Sequence, residues 1–425
     1  MNYNITLPKQ EQWQRDLLQT YITHQKDTII SVKSPRQVGK SIAIEILLIY
    51  VALTKNRSVS IEVSPIISQC RKIYTDIVNM LDGIPVIKKK NDTLLQIEFK
   101  NGSTIYFKSA EQRDGLRGFT VSGILVVDEA SFISSNIFYE LLLPFTNVHH
   151  TSIVLTSTPK FKQGFYYESY MHGLNGVSGY ISLDWNNYNL SKFLSPEKLL
   201  LYRNTLPLRV FQSEYLGEFI DGQSTVFGEF SKCIRENVQI HGNTYFGIDL
   251  ATGTGSDSTC ITIGSFEGNR VYVKEQISFN DKNTQQTISA IMEQVEKYHP
   301  KGIVLELNSI GHQFRDLLAA AVDEYVQEWN ETHNWKEQID IAVNAVTTTN
   351  KNKQEFVDKL SLMFEQDKIE IPDNKDLITQ LSMYTCTLNK NGIATYNAPS
   401  GMHDDSVLSL AMFLHNSPMK RYAVV

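Results

Sequence analysis

The chain is 425 residues long, 42% hydrophobic and 20% charged, with 12 Pro and no low-complexity tract. That length exceeds one ordinary core, so two or three globular domains are expected. The net charge of −6 gives no global sign of a polyanionic partner. It divides unevenly: residues 1–240 carry 25 Lys/Arg against 22 Asp/Glu (+3), and residues 241–425 carry 15 against 24 (−9). An acidic second half suits both a cation-binding pocket and a plain solvated surface. Cys70, Cys233, Cys260 and Cys386 have no CxxC spacing, which argues against a zinc knuckle or disulfide scaffold and for a reducing compartment. The N-terminus has no apolar signal segment. The most apolar run, 43–53, is too short to cross a bilayer, so no membrane partner is expected.

Residues 1–27 contain LPKQEQWQRDLLQTYITH, helical in pattern, with Trp13, Leu17 and Tyr21 on one face. A β-branched and apolar run, Thr28 to Val32, then stops at a polar loop that closes on Gly39-Lys40-Ser41. SIAIEILLIYVAL, 41–53, follows as a buried helix. Strand, loop and helix in that order are the context of a phosphate-binding loop, with backbone N–H groups and the helix N-terminus facing the phosphates. Lys40 would reach the β and γ phosphates and Ser41 would hold Mg²⁺. The spacing is deviant: Ser34 stands where Gly is usual, followed by Pro35, Arg36, Gln37 and Val38. Ser34, Arg36, Gln37 and Gly39 are the expected nucleotide-contacting residues of this loop, and Arg36 would set a guanidinium against triphosphate charge. Gln14, just before the strand, carries an amide able both to donate to and to accept from an adenine edge.

SVSIEVSP, 58–65, reads as a second buried strand, and 67–81 as an amphipathic helix. This β-α-β-α rhythm argues for a mostly parallel sheet. Residues 93–110 give two alternating strands joined across Asn101-Gly102, and the loop 111–120 carries Arg113 and Arg117. GILVVDEAS, 123–131, is an apolar strand ending on adjacent carboxylates. Asp128 is suited to the Mg²⁺ site and Glu129 to polarising an attacking water. SIVLTSTP, 152–159, is the next buried strand; Thr158 at its end would sense the γ-phosphate, or simply cap a turn. Residues 160–221 are aromatic and polar, with two short helices broken near Pro207, and read as a small appended subdomain. Turn-rich 221–233 leads to a boundary near 222–240. The expected partition is 1–165, 166–240 and 241–425.

The second half restarts with NTYFGIDLATGTGSDSTCITIGSF, 243–266. A strand ends at Asp249, a small-residue turn carries Asp257, and further strands follow across a Gly-Asn turn. A strand-borne Asp followed by antiparallel strands opens a ribonuclease H-like core. A helix at 283–298 leads to KGIVLELN, 301–308, whose buried strand ends in Glu306. A helix spans 352–368, and His403, Asp404 and Asp405 start the apolar helix of SGMHDDSVLSLAMFLHN. Asp249, Glu306 and Asp404 or Asp405 come from three elements and would converge as hard oxygen ligands. They suit two Mg²⁺ or Mn²⁺ ions roughly 4 Å apart that activate water and stabilise a leaving 3′-oxygen. Asp404 equally suits an N-cap.

With both sets of motifs in view, nearly the whole chain resembles the large terminase subunit of tailed bacteriophages, a DNA-packaging ATPase followed by a nuclease. SPRQVGKS resembles that family's deviant P-loop, which often has Arg where Arg36 sits. WQRDLL resembles its adenine-contacting segment, ILVVDEA its Mg²⁺ and catalytic-glutamate strand, and TSTP its coupling motif. LRG resembles the motif that would make Arg117 a finger reaching a neighbouring subunit's site. GIDLATGTGSDST, VLELNSIG and GMHDDSVLSLA resemble the nuclease motifs, with Asp249, Glu306 and Asp405 as main metal ligands and Asp404 and His403 beside them. The resemblance implies an α/β fold: a P-loop NTPase domain with a mostly parallel sheet, a small linker subdomain, and a ribonuclease H-like nuclease domain with a mixed sheet. It further implies ATP and Mg²⁺ (or Mn²⁺ at the nuclease) as cofactors. Its implied partners are double-stranded DNA, a small terminase subunit and the procapsid portal protein. The chain would form a homo-oligomeric ring, commonly of five subunits, in the host cytoplasm at the portal. A helicase–nuclease or DNA-repair ATPase is the alternative enzyme, and an inactive DNA-binding or capsid scaffold the alternative non-enzyme.

Overall fold

The structure is a computed structural model that describes residues 7–116, 118–185, 194–221, 226–251, 258–280, 282–306, 311–388, 394–399 and 402–416. The chain divides into two compact units, Met1–Gly222 with the short segment Leu388–Ala394, and Gln223–Thr387 with Thr395–Val425, each built around its own sheet. Among the described residues no helix is long and apolar enough to cross a membrane. Cys70, Cys233, Cys260 and Cys386 are all buried thiols.

The first unit begins with α1 (Gln12–Thr23), β1 (Ile29–Lys33), α2 (Lys40–Thr54), β2 (Val59–Ser64) and α3 (Ile67–Met80). Strands β3 (Ile87–Asn91), β4 (Gln96–Phe99), β5 (Thr104–Ser109), β6 (Leu125–Val127) and β7 (Ile153–Ser157) follow. Then come α4 (Gly164–Leu174), β8 (Tyr180–Asp184), α5 (Pro196–Thr205) and α6 (Leu208–Glu214). The eight strands form one sheet in the order β3-β4-β5-β2-β6-β7-β1-β8, parallel except for the β3-β4-β5 meander. Alternation along the strands covers both faces. Ile30, Val32, Val126 and Val154 pack with Leu17, Leu47 and Ile73 of the three helices. Ile61, Val63, Leu125, Val127, Ile153 and Leu155 pack with Phe138, Phe165 and Tyr166 on the other side.

One expectation is corrected here. Residues 164–184 are not part of an appended subdomain: β8 pairs in parallel with β1 at the sheet edge, and Phe165 and Tyr166 of α4 belong to the core. Only α5 and α6 remain as a separate helix pair, and α5 buries none of its residues.

The second unit contains β9 (Ile234–Arg235), β10 (Thr244–Asp249), β11 (Thr259–Glu267), β12 (Arg270–Phe279), α7 (Thr284–Tyr298) and β13 (Gly302–Glu306). It continues with α8 (Gly311–Thr332), β14 (Ala342–Val346), α9 (Asn350–Glu365), β15 (Ile369–Pro372) and α10 (Lys375–Met383). The paired strands β16 (Thr385–Leu388) and β17 (Ala394–Asn397) precede α11 (Asp405–His415). Its seven-stranded sheet runs β14-β13-β10-β11-β12-β15-β9. It is mixed: β10-β11-β12 is antiparallel, whereas β10-β13-β14 is parallel. Helix α11 lies directly on β10 because position 247 is Gly: a Cβ there would stand 1.9 Å from the Phe413 nitrogen and 2.3 Å from the Ser409 carbonyl oxygen. Ser409 Oγ then donates to the Gly247 carbonyl at 3.1 Å.

Candidate functional sites

The first site forms where β1, β6 and β7 end side by side. The register sets Lys33 against Ser157 and Val127 against Leu155, so the loop after β1, the acidic pair after β6 and Thr158 all leave the same sheet edge. The loop turns through positive φ at Gln37 (60°) and Gly39 (90°). Glycine is required at 39 for a second reason, since a Cβ there would meet the Gln14 amide nitrogen at 2.5 Å. Helix α1 braces the loop from behind: Trp13 Nε1 donates to the Val38 carbonyl at 3.0 Å and Gln14 Nε2 to the Gly39 carbonyl at 2.9 Å. Gln14 Oε1 accepts the Glu11 amide, so both ends of its amide are engaged.

Lys40, the first residue of α2, is buried, and its ammonium stands among three oxygens. It donates to Thr158 Oγ1 at 3.1 Å, lies 3.5 Å from the Pro35 carbonyl, and is 3.6 Å from Glu129 Oε1. Thr156 Oγ1 donates to Asp128 Oδ1 at 2.6 Å, and Ser157 Oγ donates to Glu129 Oε2 at 3.3 Å. Burial, and then the Glu129 charge, push the Asp128 carboxyl up to about 6. Glu129 sits at φ 47°, ψ 46°, a left-handed conformation rare outside Gly, which turns its side chain toward Lys40 as the strand ends. Ser41 is half-buried in the first turn of α2, and Ser34 Oγ is buried without a hydrogen-bond partner among the described residues.

Lys40, Asp128, Glu129 and Thr158 therefore come together. Gln37 is exposed. Arg36 turns to α6, where its Nε stands 2.8 Å from Glu214 Oε2 and its amide donates to the Glu214 carbonyl at 2.9 Å. Arg117 lies outside the described residues. Thr156 and Ser157 belong to the TSTP segment noted in the sequence, but no spacing announced that their hydroxyls would orient the acidic pair. Glu214 had no local signal at all.

The second site is built by neighbouring strand ends and one helix start. Ile248 pairs with Leu305 across the parallel β10-β13 ladder, so Asp249 and Glu306 emerge next to each other. Both are about 5% exposed or less, and Asp405, in the first turn of α11, is 9% exposed. Burial first, then a hydrogen bond and charge from Glu306, hold the Asp249 carboxyl well above the usual carboxylate range; Asp405 and Asp404 add to this. Glu306 Oε2 is buried without a hydrogen-bond partner among the described residues. Asp405 Oδ2 accepts the Ser258 amide at 2.9 Å, and His403 Nδ1 is 3.9 Å away. These carboxylates are neighbours but not a closed cage: among the described residues no three His, Cys, Asp or Glu side chains are gathered at metal-holding spacing. Asp257 lies outside the described residues.

Asp404 occupies the N-cap position of α11 but makes no capping hydrogen bond. Gln380 of α10 takes the Ser406 amide instead, at 2.8 Å. Asp404 Oδ2 is 3.1 Å from Lys353 Nζ, which also donates to Asn397 Oδ1 at 2.8 Å. The N-cap alternative for Asp404 is thus replaced by an ion pair that no sequence spacing announced.

A nucleotide-type loop on a parallel sheet, joined to a carboxylate-bearing mixed sheet, defines an α/β ATPase followed by a ribonuclease H-like nuclease. The comparisons agree. Residues 32–231 match the family model "Terminase large subunit, T4likevirus-type, N-terminal", and residues 246–417 match "Terminase RNaseH-like domain". The large terminase subunit of Thermus virus P23-45 is 21% identical over 418 residues, covering 89% of this chain and 82% of that protein. A solved large terminase from a thermophilic bacteriophage superposes with a TM-score of 0.58 at 15% identity, covering 96% of this chain and 99% of that one. The same phage protein in complex with ATP-gamma-S gives 0.54 at 16% identity, covering 95% and 98%. The chain belongs to the large terminase subunits. It is an enzyme of viral DNA packaging that couples ATP-driven DNA translocation to nuclease activity.

Proposed function

We propose that the first unit hydrolyses ATP with Mg²⁺ through Lys40, Ser41, Asp128, Glu129 and Thr158, and that the second cuts the packaged duplex through Asp249, Glu306 and Asp405. The observation that carries this reading is the Lys40 ammonium, standing within 3.6 Å of both the Glu129 carboxylate and the Thr158 hydroxyl, where the ammonium and the hydroxyl would contact a phosphate oxygen and Glu129 would hold the attacking water beside it. The thermophilic bacteriophage's large terminase has been solved with ADP and with ATP-gamma-S, which favours the same nucleotide here.

Lys40 binds the β and γ phosphates, the backbone N–H groups from Gln37 to Ser41 cradle them, and Gln37 and Arg36 flank them. Glu129, oriented by Ser157, polarises the attacking water. Thr158 reads whether the γ-phosphate is present. Gln14 braces the loop and keeps one amide hydrogen and one lone pair for an adenine edge. Arg117 serves a neighbouring subunit's site.

The donor sets suit hard divalent ions: Ser41 and Asp128 in the first unit, and Asp249, Glu306 and Asp405 with Asp404 beside them in the second, where the unpartnered Glu306 Oε2 is a ready acceptor. A Mg²⁺ or Mn²⁺ ion held there supplies charge to a phosphate oxygen and acidity to a water. Family membership supports double-stranded DNA, a small terminase subunit and the procapsid portal as partners. It also supports a ring of subunits, commonly five, working in the host cytoplasm at the portal. A helicase–nuclease would need a second motor core, and the described residues beyond 222 form the mixed sheet instead.

ATP turnover by the full-length protein tests the motor site. Lys40→Ala and Glu129→Ala should each lower it by about 100- to 1000-fold, the scale of removing one positioned catalytic group. Turnover close to wild type in either variant would overturn the assignment.

A further inference from the structure

Gly247 of β10, Thr262 of β11 and Gln276 of β12 stand opposite one another in a single row across the antiparallel part of the second sheet. Residues paired in this way face the same side, here the side that α11 covers. The row is polar where a helix usually meets a sheet through apolar groups, and Thr262, Gln276, Ser406 and Ser409 are all buried. Its hydrogen bonds run one way. Gln276 Nε2 donates to Thr262 Oγ1 at 2.8 Å, which leaves the Thr262 hydroxyl hydrogen for Ser409 Oγ at 2.6 Å, and Ser409 in turn donates to the Gly247 carbonyl at 3.1 Å. The second hydrogen of the Gln276 amide goes to the Ser406 carbonyl, also at 2.8 Å. From α10, Gln380 Oε1 takes the Ser406 amide at 2.8 Å. Both backbone polar groups of Ser406 are thus held by glutamine side chains from two different elements.

We propose that Gln276 and Gln380 are positioning residues of the nuclease site, which clamp Ser406 and thereby fix where Asp405, the residue before it, stands for a divalent ion. The proposal rests on the reading of Asp249, Glu306 and Asp405 as the metal-holding set. Asp249 and Glu306 end adjacent strands, and the β10-β13 ladder fixes their spacing. Asp405 has no such ladder. It rides on a helix whose seat on the sheet is set by side-chain contacts, and apolar contacts alone carry no direction. Gly247 lets α11 come close, and the chain from Gln276 sets where along the sheet it stops, because a helix that slides or turns pulls these hydrogen bonds out of range. Donors that all point one way polarise one another, so the row acts as a unit. A methionine at either position would fill similar space without burying an amide, so packing alone does not call for glutamine there.

Calorimetric titration of the full-length protein with Mn²⁺, without DNA, tests this, with Asp249→Asn as the baseline for ions held elsewhere. Gln276→Met and Gln380→Met should each weaken the Asp249-dependent binding by about 10- to 100-fold, the scale of removing an outer partner of a metal ligand. Duplex cutting should need correspondingly more Mn²⁺ for its half-maximal rate and return towards the wild-type rate at saturating ion. The melting temperature without metal should stay near that of wild type. A merely structural role predicts a lower melting temperature with unchanged Mn²⁺ dependence, and that result overturns the proposal. Gln380 is half-buried on a helix, so its variant decides the matter if Gln276→Met fails to fold. If wild type shows no Asp249-dependent Mn²⁺ binding, the nuclease-site reading falls, and the clamp with it. If wild type binds the ion and Gln380→Met binds it equally well, only the clamp falls.

Discussion

Glu62 stands on β2 with no exposed surface, and burial pushes its carboxyl up to about 8. Ser64 Oγ donates to its Oε1. From pH 4.5, the ordinary value, to about 8, the folded protein keeps a proton that the unfolded chain has released. Stability therefore falls as pH rises through that window and levels off above it. Glu62→Gln preserves the shape and the acceptor for Ser64 but removes the titration. Its stability relative to wild type should rise by about 1 kcal/mol per pH unit between pH 5 and 8. Urea unfolding at several pH values measures this, and parallel profiles for the two proteins would contradict it. The sequence alone shows Glu62 as one polar residue in a strand; its charge state depends on being enclosed by both faces of the sheet.

At the scale of elements, the contact of α11 with β10 governs the proposed nuclease site. Phe413 and Ser409 of α11 approach β10 through the space left by Gly247, and it is this seating that brings Asp405, at the start of the helix, beside Asp249. Backbone atoms cannot yield as a flexible side chain can, so Gly247→Ala must lift the helix. The expected loss of stability is at least about 1–3 kcal/mol, the usual range for overpacking. Nuclease activity should disappear with the displacement of Asp405, while ATP turnover stays near wild type because the motor site lies in the other unit. Thermal unfolding and paired activity assays report both effects; a fully active nuclease would show that α11 need not sit so close. The same scale explains the edge strand β8. Its residues are only half-buried, so it lacks the apolar run that marks β1, β2 and β7, and its place in the sheet is settled by pairing with β1.

For the whole molecule, each described site draws all its residues from a single unit, so the two chemistries should be separable by substitution. Asp249→Asn and Asp405→Asn should abolish cutting of duplex DNA in Mn²⁺ or Mg²⁺ while ATP hydrolysis continues. Asp404→Asn should lose about 10- to 100-fold, the scale of a residue supporting a metal site rather than binding in it, because its carboxylate is already paired with Lys353. Complete loss in Asp404→Asn would instead place it among the ligands. Cutting by the Asp249 variant at the wild-type rate would remove Asp249 from the site.

By itself the sequence determined the order of the two machines and the residues at their strand ends. An apolar run stopping at GKS, at DE, at Asp249 or at Glu306 is a local pattern, and a strand carries its terminal residue wherever the sheet places it. Only the tertiary structure decided what those residues meet. Arg36 with Glu214, Asp404 with Lys353 and Asp405 with the Ser258 amide join positions from 51 to 178 residues apart, and no spacing rule links them. Such partners are selected when sheet register and helix seating close the remaining distance, as Gly247 does for α11. Polar side chains at those points look like any solvated residue until the packing encloses them.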